Sequence, residues 1–252
     1  MAVPGRGVAI IVDDVDLSQY LNQFKFERKA KDIDISHFGS KVNLYLSGPQ
    51  DTTVTLNGFY DGGPDEVDEV FHRKFGAFGT AGDINVMICP DTESNGQPAY
   101  MIPTTQITYD ISTKVDGAVE VEAQLRANGA ISRGVILQQS DMVTATGESA
   151  DPIDNGDVGS SFFGAVGQLH VLSNSALPSM SVALEHSDDD TTYAPFLTFD
   201  PVMTASGSQR IATANNLEIK QFVKATWTLP TTGSPHAVFT VGFARRTQVD
   251  ID

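Results

Sequence analysis

Apolar and polar residues alternate strictly over residues 52–60, which is the clearest strand pattern in the chain. The polar side chains of this run share one face: Thr53, Thr55 and Asn57. Residues 119–126 alternate in the same way, and their polar face carries Glu120, Glu122, Gln124 and Arg126. Strict alternation with β-branched residues is typical of strands that bury one side only. Both segments are therefore predicted to be half-buried strands.

A single segment has the spacing of an amphipathic helix. The breaker cluster at residues 61–64 precedes it, and Pro64 suits a first helical position. The apolar residues that follow form one stripe: Val67, Val70, Phe71 and Phe75. We predict a short helix over about residues 64–75 that covers one face of a sheet.

Between these strands and the N-terminus, residues 32–48 form a long, partly alternating segment with few helix signals. It is predicted to be an extended hairpin arm with its tip near Gly39. Because a two-stranded arm leaves edge groups unpaired, such arms usually contact a neighbouring molecule.

Short strand-like runs separated by turns fill most of the remaining chain, without a second helical pattern. Residues 141–158 are rich in Asp, Ser, Thr and Gly and are predicted to be a linker. The sequence thus predicts an all-β fold of β-barrel or β-sandwich modules with one short flanking helix. Two modules in tandem are expected, at residues 1–140 and 159–252.

The chain has 252 residues with 32 acidic and 16 basic side chains, for a formal net charge of −16. Such a surface repels DNA and anionic membranes, because phosphate binding needs clustered Lys and Arg. Cys89 is the single cysteine, which fits assembly in a reducing cytoplasm. The N-terminus has no long apolar run, so a signal peptide is not expected. A membrane-spanning segment is not expected either.

Residues that could carry chemistry are few and scattered. The five histidines show no metal-ligand spacing, and no nucleophile or phosphate-binding motif is present. The acidic run at Asp188, Asp189 and Asp190 could bind a hard cation, although a turn between strands is the better interpretation. Trp227 suggests a carbohydrate platform, but it lies in an alternating run that favours a core position. We predict a non-enzymatic protein without metal or cofactor.

Four short motifs resemble the tail tube (major tail) proteins of long, flexible-tailed phages. The motifs are Asp16-Leu-Ser-Gln-Tyr-Leu, Phe38-Gly39, Gly48, and Thr55-Leu-Asn-Gly-Phe-Tyr-Asp61. The resemblance covers roughly residues 8–138. It implies a β-barrel or sandwich with one helix, joined side by side into rings that stack into a tube for genome delivery. Other tail proteins (tape measure, tail terminator and distal tail) and passing DNA, without specific binding, are the implied partners.

The resemblance implies that the arm at residues 32–48 contacts the adjacent ring. The residues of this chain that the resemblance assigns to such contacts are Phe38, Gly39, Lys41, Asn43 and Tyr45. The second half is expected to be either an outward decoration or a second tube-like module. An outward decoration implies a hexameric ring, whereas a second tube-like module implies a trimer of two-module chains. The length of the chain slightly favours the trimer. A capsid decoration protein and a carbohydrate-binding module are alternative functions.

Overall fold

A computed structural model describes residues 7–37, 42–64, 66–75, 84–113, 115–175, 180–200, 206–231 and 233–247. The fold is all-β with antiparallel sheets and, in these ranges, one α-helix, which confirms the predicted fold class. The chain forms two compact units. The four-stranded unit comprises residues 19–83 and 104–128, and the sandwich unit comprises residues 1–18, 84–103 and 129–252.

The strands are numbered in chain order. They are β1 (Ala9–Val12), β2 (Val15–Asp16), β3 (Leu21–Asp34), β4 (Tyr45–Phe59), β5 (Ile84–Cys89), β6 (Pro98–Ser112), β7 (Glu120–Ala127), β8 (Ser132–Gln138), β9 (Met142–Val143), β10 (Gly147–Glu148), β11 (Ile153–Asp154), β12 (Ala165–Asn174), β13 (Ser181–Ser187), β14 (Ala194–Thr198), β15 (Gly207–Ala212), β16 (Phe222–Thr228) and β17 (Ala237–Arg245). The helix α1 is Val67–Phe75, and a short 3-10 helix is Gly156–Val158.

The four-stranded unit is an antiparallel sheet in the order β3-β4-β7-β6, to which β6 contributes its residues from Thr104 onward. One face of this sheet is apolar and buried, with Val54, Leu56, Val121, Ala123 and Leu125. Three residues of α1 are buried as well: Val67, Val70 and Phe71. Period-2 alternation in the strands and period-3.6 spacing in the helix thus each produce one apolar face.

The helix begins three residues later than the sequence indicates. A turn precedes it, in which the amide of Glu66 donates to the carbonyl of Gly63 at 3.2 Å. The amide of Asp68 then donates to the carbonyl of Asp61 at 3.1 Å. The regular helix starts at Val67, directly after this turn.

The sandwich unit contains two sheets. The larger has the order β15-β12-β17-β8-β6-β5-β1-β2, with β9 also paired to β17, and the smaller has the order β10-β16-β13-β14, with β11 also paired to β16. A hydrophobic core includes residues of both sheets, among them Leu169, Leu184, Trp227, Phe239 and Phe243. This is the two-layer arrangement of a β-sandwich.

The units do not follow the predicted tandem order. Strand β17, at the end of the chain, lies between β12 and β8, so strands from both halves of the sequence share one sheet. Residues 141–158, predicted to be a linker, contain β9, β10 and β11, which pair with β16 or β17. The division differs from the prediction because these pairings link distant segments, which local composition does not encode.

Candidate assembly surfaces

The face of the four-stranded sheet opposite α1 is almost entirely polar. Its cross-strand rows follow from the register, in which Lys25, Thr55 and Gln124 are neighbours and Gln23, Asn57 and Glu122 are neighbours. Thr108 and Asp110 extend these two rows on β6. The polar residues on β4 and β7 that the sequence placed on one face of each strand therefore share a single surface.

Three cations on this polar face are paired with carboxylates of the same face. Lys25 Nζ lies 2.8 Å from Glu27 Oε2, and Lys29 forms an ion pair with the other oxygen of Glu27. Arg126 donates two hydrogen bonds to Asp51, from Nε to Oδ1 at 3.0 Å and from Nη2 to Oδ2 at 2.8 Å. All five side chains are substantially exposed.

The other end of the polar face carries unbalanced negative charge. Asp110 pairs with Glu122 in the register, and Glu120 pairs with Ser112 and Phe59. Glu122 accepts a hydrogen bond from Gln124 at 3.0 Å. On the described residues of this face, three cations face five carboxylates, so the surface is acidic overall.

Both outer strands of this sheet have an open edge in the part of the chain that the structure describes. Strand β3 pairs with β4 alone, and β6 from Thr104 onward pairs with β7. Open edges present unpaired backbone N–H and C=O groups, which readily pair with another chain. This sheet can therefore be extended on both sides.

Beyond the four-stranded part, β3 and β4 continue as a two-stranded ribbon. The register pairs Ile33 with Leu46, and the amide of Ile35 donates to the carbonyl of Leu44 at 2.9 Å. These four aliphatic side chains therefore share one ribbon face, and they are 39%, 56%, 50% and 40% exposed, respectively. A two-stranded ribbon with an uncovered apolar face is marginally stable alone.

Two of the predicted contact residues, Asn43 and Tyr45, lie on this ribbon. The Asn43 amide donates to the Tyr45 hydroxyl at 3.3 Å, and Tyr45 is 60% exposed. Tyr45 pairs with Asp34, so it lies on the face opposite the aliphatic residues. Phe38, Gly39 and Lys41 lie outside the described residues. The aliphatic face was missed at the sequence level, although the alternation of Ile33 and Ile35 with aspartates is visible there.

Two tyrosines bind the carboxylate of Asp68, in the first turn of α1. The Tyr109 hydroxyl donates to Oδ1 at 2.8 Å, and the Tyr60 hydroxyl donates to Oδ2 at 3.4 Å. The Tyr109 ring also lies 5.6 Å from that of Phe71. Burial and the adjacent Asp68 carboxylate raise the pKa of Tyr109 well above its ordinary value. These contacts hold the helix on the sheet.

The remaining candidate residues have structural roles. Trp227 is 7% exposed, and its Nε1 donates to the carbonyl of Ala145 at 2.9 Å, so its ring does not offer a sugar platform. Asp189 accepts hydrogen bonds from Ser187, Thr191 and Thr192 within its own turn. Among the residues that the structure describes, no group of three His, Cys, Asp or Glu side chains could hold a metal ion.

Cys89 is buried, and this burial raises the pKa of its thiol to about 12. The thiol is therefore protonated at neutral pH, and it packs as a small apolar side chain. A nucleophilic thiolate is not favoured at this position.

His170 is the centre of a buried polar network in the sandwich unit. Its Nδ1 donates to the carbonyl of Asp13 at 2.6 Å, and its Nε2 accepts from Gln168 at 2.7 Å. The Asp13 carboxylate in turn accepts a hydrogen bond from the backbone N–H of Asn85 at 2.8 Å and another from the Ser208 hydroxyl at 2.7 Å. The network joins the β1–β2 turn to β5, β12 and β15.

The helix of the described chain is too short and too polar to cross a membrane. No protein-family model matches the chain, and no curated protein sequence matches it. The fold and its surfaces define the class: an all-β protein with an extendable sheet and an exposed two-stranded ribbon.

Solved structures that resemble this chain come from phage tails and related particles. A chain of the native gene transfer agent virion is 17% identical, with 52% of this chain and 98% of that chain covered and a TM-score of 0.39. The tail tube of phage SPP1 is 12% identical, with coverages of 53% and 80% and a TM-score of 0.41. The Dit protein of SPP1, described as a hub of the adsorption apparatus, is 10% identical, with coverages of 94% and 99% and a TM-score of 0.35.

Proposed function

We propose that this protein is a structural subunit of a phage tail tube and assembles with copies of itself into stacked rings. The observation that carries the proposal is the four-stranded sheet with a polar face and two open edges. One face is buried, so the polar face is available to line a water-filled channel. The motifs at residues 16–21 and 55–61 support the same function.

The strand directions allow such sheets to join edge to edge. In the order β3-β4-β7-β6 all pairs are antiparallel, so β3 and β6 run in opposite directions. When β6 of one copy pairs with β3 of the next, the new pair is antiparallel as well. Repetition around a rotation axis closes the sheet into a barrel without edges.

The channel diameter favours six copies over three. Strands spaced about 4.8 Å apart and tilted about 40° each occupy about 6.3 Å of circumference. Six four-stranded sheets then form a wall about 48 Å across, which leaves about 38 Å between inward side chains. Three sheets leave about 14 Å, which is too narrow for a B-form duplex roughly 20 Å wide.

A trimer would need a second lumen-forming sheet in each chain. The smaller sheet of the sandwich unit is a poor candidate, because its edge strands β10 and β11 have two residues each and β14 has five. The strands β12, β15 and β17 already belong to the larger sheet of the sandwich unit. The described strands therefore support a hexameric ring of chains that each contribute four lumen strands.

The ribbon is proposed to contact a second copy in the adjacent ring. Burying the exposed parts of Ile33, Ile35, Leu44 and Leu46 is worth roughly 1 kcal/mol each, which is enough to contribute to a repeated contact. Asn43 and Tyr45 remain predicted contacts on the opposite ribbon face. Assembly in the host cytoplasm and contacts with tape measure, tail terminator and distal tail proteins belong to the same proposal.

Electron microscopy of the purified full-length protein and of its parent particle tests the proposal. We expect rings or tubes with six-fold symmetry, and antibody labelling along the whole tail shaft. Labelling confined to the head would favour a capsid decoration protein, and labelling confined to the tail tip would favour a hub. Either pattern, or a protein that never forms rings at any concentration tested, contradicts the tube function.

A further inference from the structure

Cations on the wall of a DNA channel can slow the passage of DNA, because each one can neutralise a phosphate and retain the duplex. Among the described residues of the polar face, the cations are Lys25, Lys29 and Arg126. Glu27 contacts both lysines, with one carboxylate oxygen on each. Asp51 contacts Arg126 through a two-point pair, at 3.0 Å and 2.8 Å. Each cation therefore already has a carboxylate partner on the same surface.

These pairs contribute little to the stability of the fold. The lysine side chains are 63% and 74% exposed, and both members of the Arg126–Asp51 pair are more than half exposed. Exposed ion pairs of this kind typically stabilise a protein by about 0–1 kcal/mol. Their placement on the polar face is thus better explained by its effect on charge than by stability.

Charge compensation on the polar face affects DNA binding, because the affinity of a protein for DNA comes mainly from counterion release at the phosphates. A cation that is already paired with a carboxylate releases few counterions when a phosphate approaches, whereas an unpaired cation releases about one. The two lysine contacts lower the pKa of Glu27 to about 2, so this carboxylate remains charged throughout the physiological pH range.

We propose that Glu27 and Asp51 mask the cations of the polar face and so prevent passing DNA from binding to the channel wall. This inference rests on the proposed tube function, in which that face lines the lumen. On this proposal, the carboxylates of Glu27 and Asp51 determine whether DNA passes through the channel without binding. The acidic end around Asp110 and Glu122 repels DNA, and at the masked end Glu27 and Asp51 reduce the formal charge of the three cations from +3 to +1.

The test compares DNA binding by assembled tubes of the full-length protein and of two double variants. Glu27→Gln with Asp51→Asn removes both masks. Asp110→Asn with Glu122→Gln removes two carboxylates from the same face that have no cation partner among the described residues. Each double variant removes two negative charges, so the two variants have the same net charge. Tube formation is first scored by electron microscopy, and double-stranded DNA is then cosedimented at two salt concentrations.

We expect the mask variant to bind DNA at least about tenfold more tightly than wild type at about 50 mM salt, and the gain to disappear near about 300 mM. The matched Asp110/Glu122 variant should gain much less. Equal gains in both variants would show that net charge alone controls binding, and no gain in either would show that the masks are unnecessary. Both results overturn the inference while leaving the tube function intact.

A reversal variant covers the case in which the mask variant assembles poorly. Glu27→Gln combined with Lys25→Gln and Lys29→Gln removes one mask together with the cations that it covers. Its DNA binding should return to the wild-type level, whereas Glu27→Gln alone should bind more tightly. If the two bind DNA equally, the inference is wrong. If wild-type protein itself forms no tubes, the proposed function fails, independently of any difference between variants.

Discussion

Gly134 on β8 lies directly against the main-chain carbonyl of Phe243 on β17, so that a Cβ added at Gly134 would lie 2.0 Å from that oxygen. The same Cβ would lie 2.8 Å from the Cα of Ala244. These backbone atoms are fixed by the β8–β17 pairing, in which Phe243 lies opposite Val135. The close approach joins a strand of the predicted first module, residues 1–140, to the last described strand of the chain.

Gly134→Ala should therefore destabilise the protein, because the added methyl group can be accommodated only by moving the backbone. We expect a loss of about 1–3 kcal/mol in the free energy of unfolding, measured by urea titration. Gly207→Ala in β15 of the same sheet is the matched control, since nothing lies within 4 Å of its added Cβ. Equal stability of the two variants would contradict the close β8–β17 approach.

Removing the hydroxyl of Tyr109 should loosen α1. Tyr109→Phe deletes the 2.8 Å hydrogen bond to the Asp68 carboxylate, and bonds to charged groups contribute about 1.5–3 kcal/mol. Tyr60→Phe deletes the longer 3.4 Å contact to the same carboxylate and should cost clearly less. Urea unfolding together with hydrogen exchange at residues 67–75 measures both effects. A larger loss for the Tyr60 variant would contradict this ranking.

The buried His170 should make the protein less stable in mild acid. Burial lowers the pKa of His170 from its ordinary value of 6.5, so below about pH 6.5 the unfolded chain binds more protons than the folded one. Stability is therefore retained above that pH and falls as the pH decreases, by up to about 1.4 kcal/mol per pH unit. The melting temperature should drop between pH 7.5 and pH 5.5.

His170→Asn isolates this contribution. Asparagine can still donate to the Asp13 carbonyl but does not titrate, so the pH dependence should become shallower even if stability at pH 7.5 falls. His186, whose pKa is also lowered by burial, accounts for part of the remaining slope. An unchanged slope in His170→Asn would contradict the assignment.

Assembly should depend on the aliphatic face of the ribbon. Ile35→Ser with Leu44→Ser should reduce tube formation at least tenfold, because two half-exposed side chains that a neighbouring copy would bury are lost from every subunit. The melting temperature of the unassembled protein should change little. Light scattering against protein concentration measures assembly.

Tyr45→Ser is the matched comparison on the opposite ribbon face. If only this variant impairs assembly, the contact uses the face of Asn43 and Tyr45 that the family resemblance indicates, and the aliphatic face is not an interface. If all of these variants assemble as wild type does, the ribbon does not contact a neighbouring subunit.

Several features of the fold could be predicted because they depend only on the local spacing of apolar and polar residues. The alternation of Thr53, Val54 and Thr55 and the spacing of Val67, Val70 and Phe71 each decide which side of an element is apolar, independently of the rest of the chain. The all-β class, the helix and the hairpin arm follow from such patterns. The polar faces of residues 52–60 and 119–126 were visible in the same way.

The tertiary structure decided what periodicity does not contain, namely which strands are neighbours. Asp51 and Arg126 are 75 residues apart, and only the β4–β7 register brings them into contact. Pairing of β17 with β8 and β12 likewise placed strands from both expected modules in one sandwich unit. Local pattern determines the faces of each strand, whereas register and strand order arise from burying those faces together in one core.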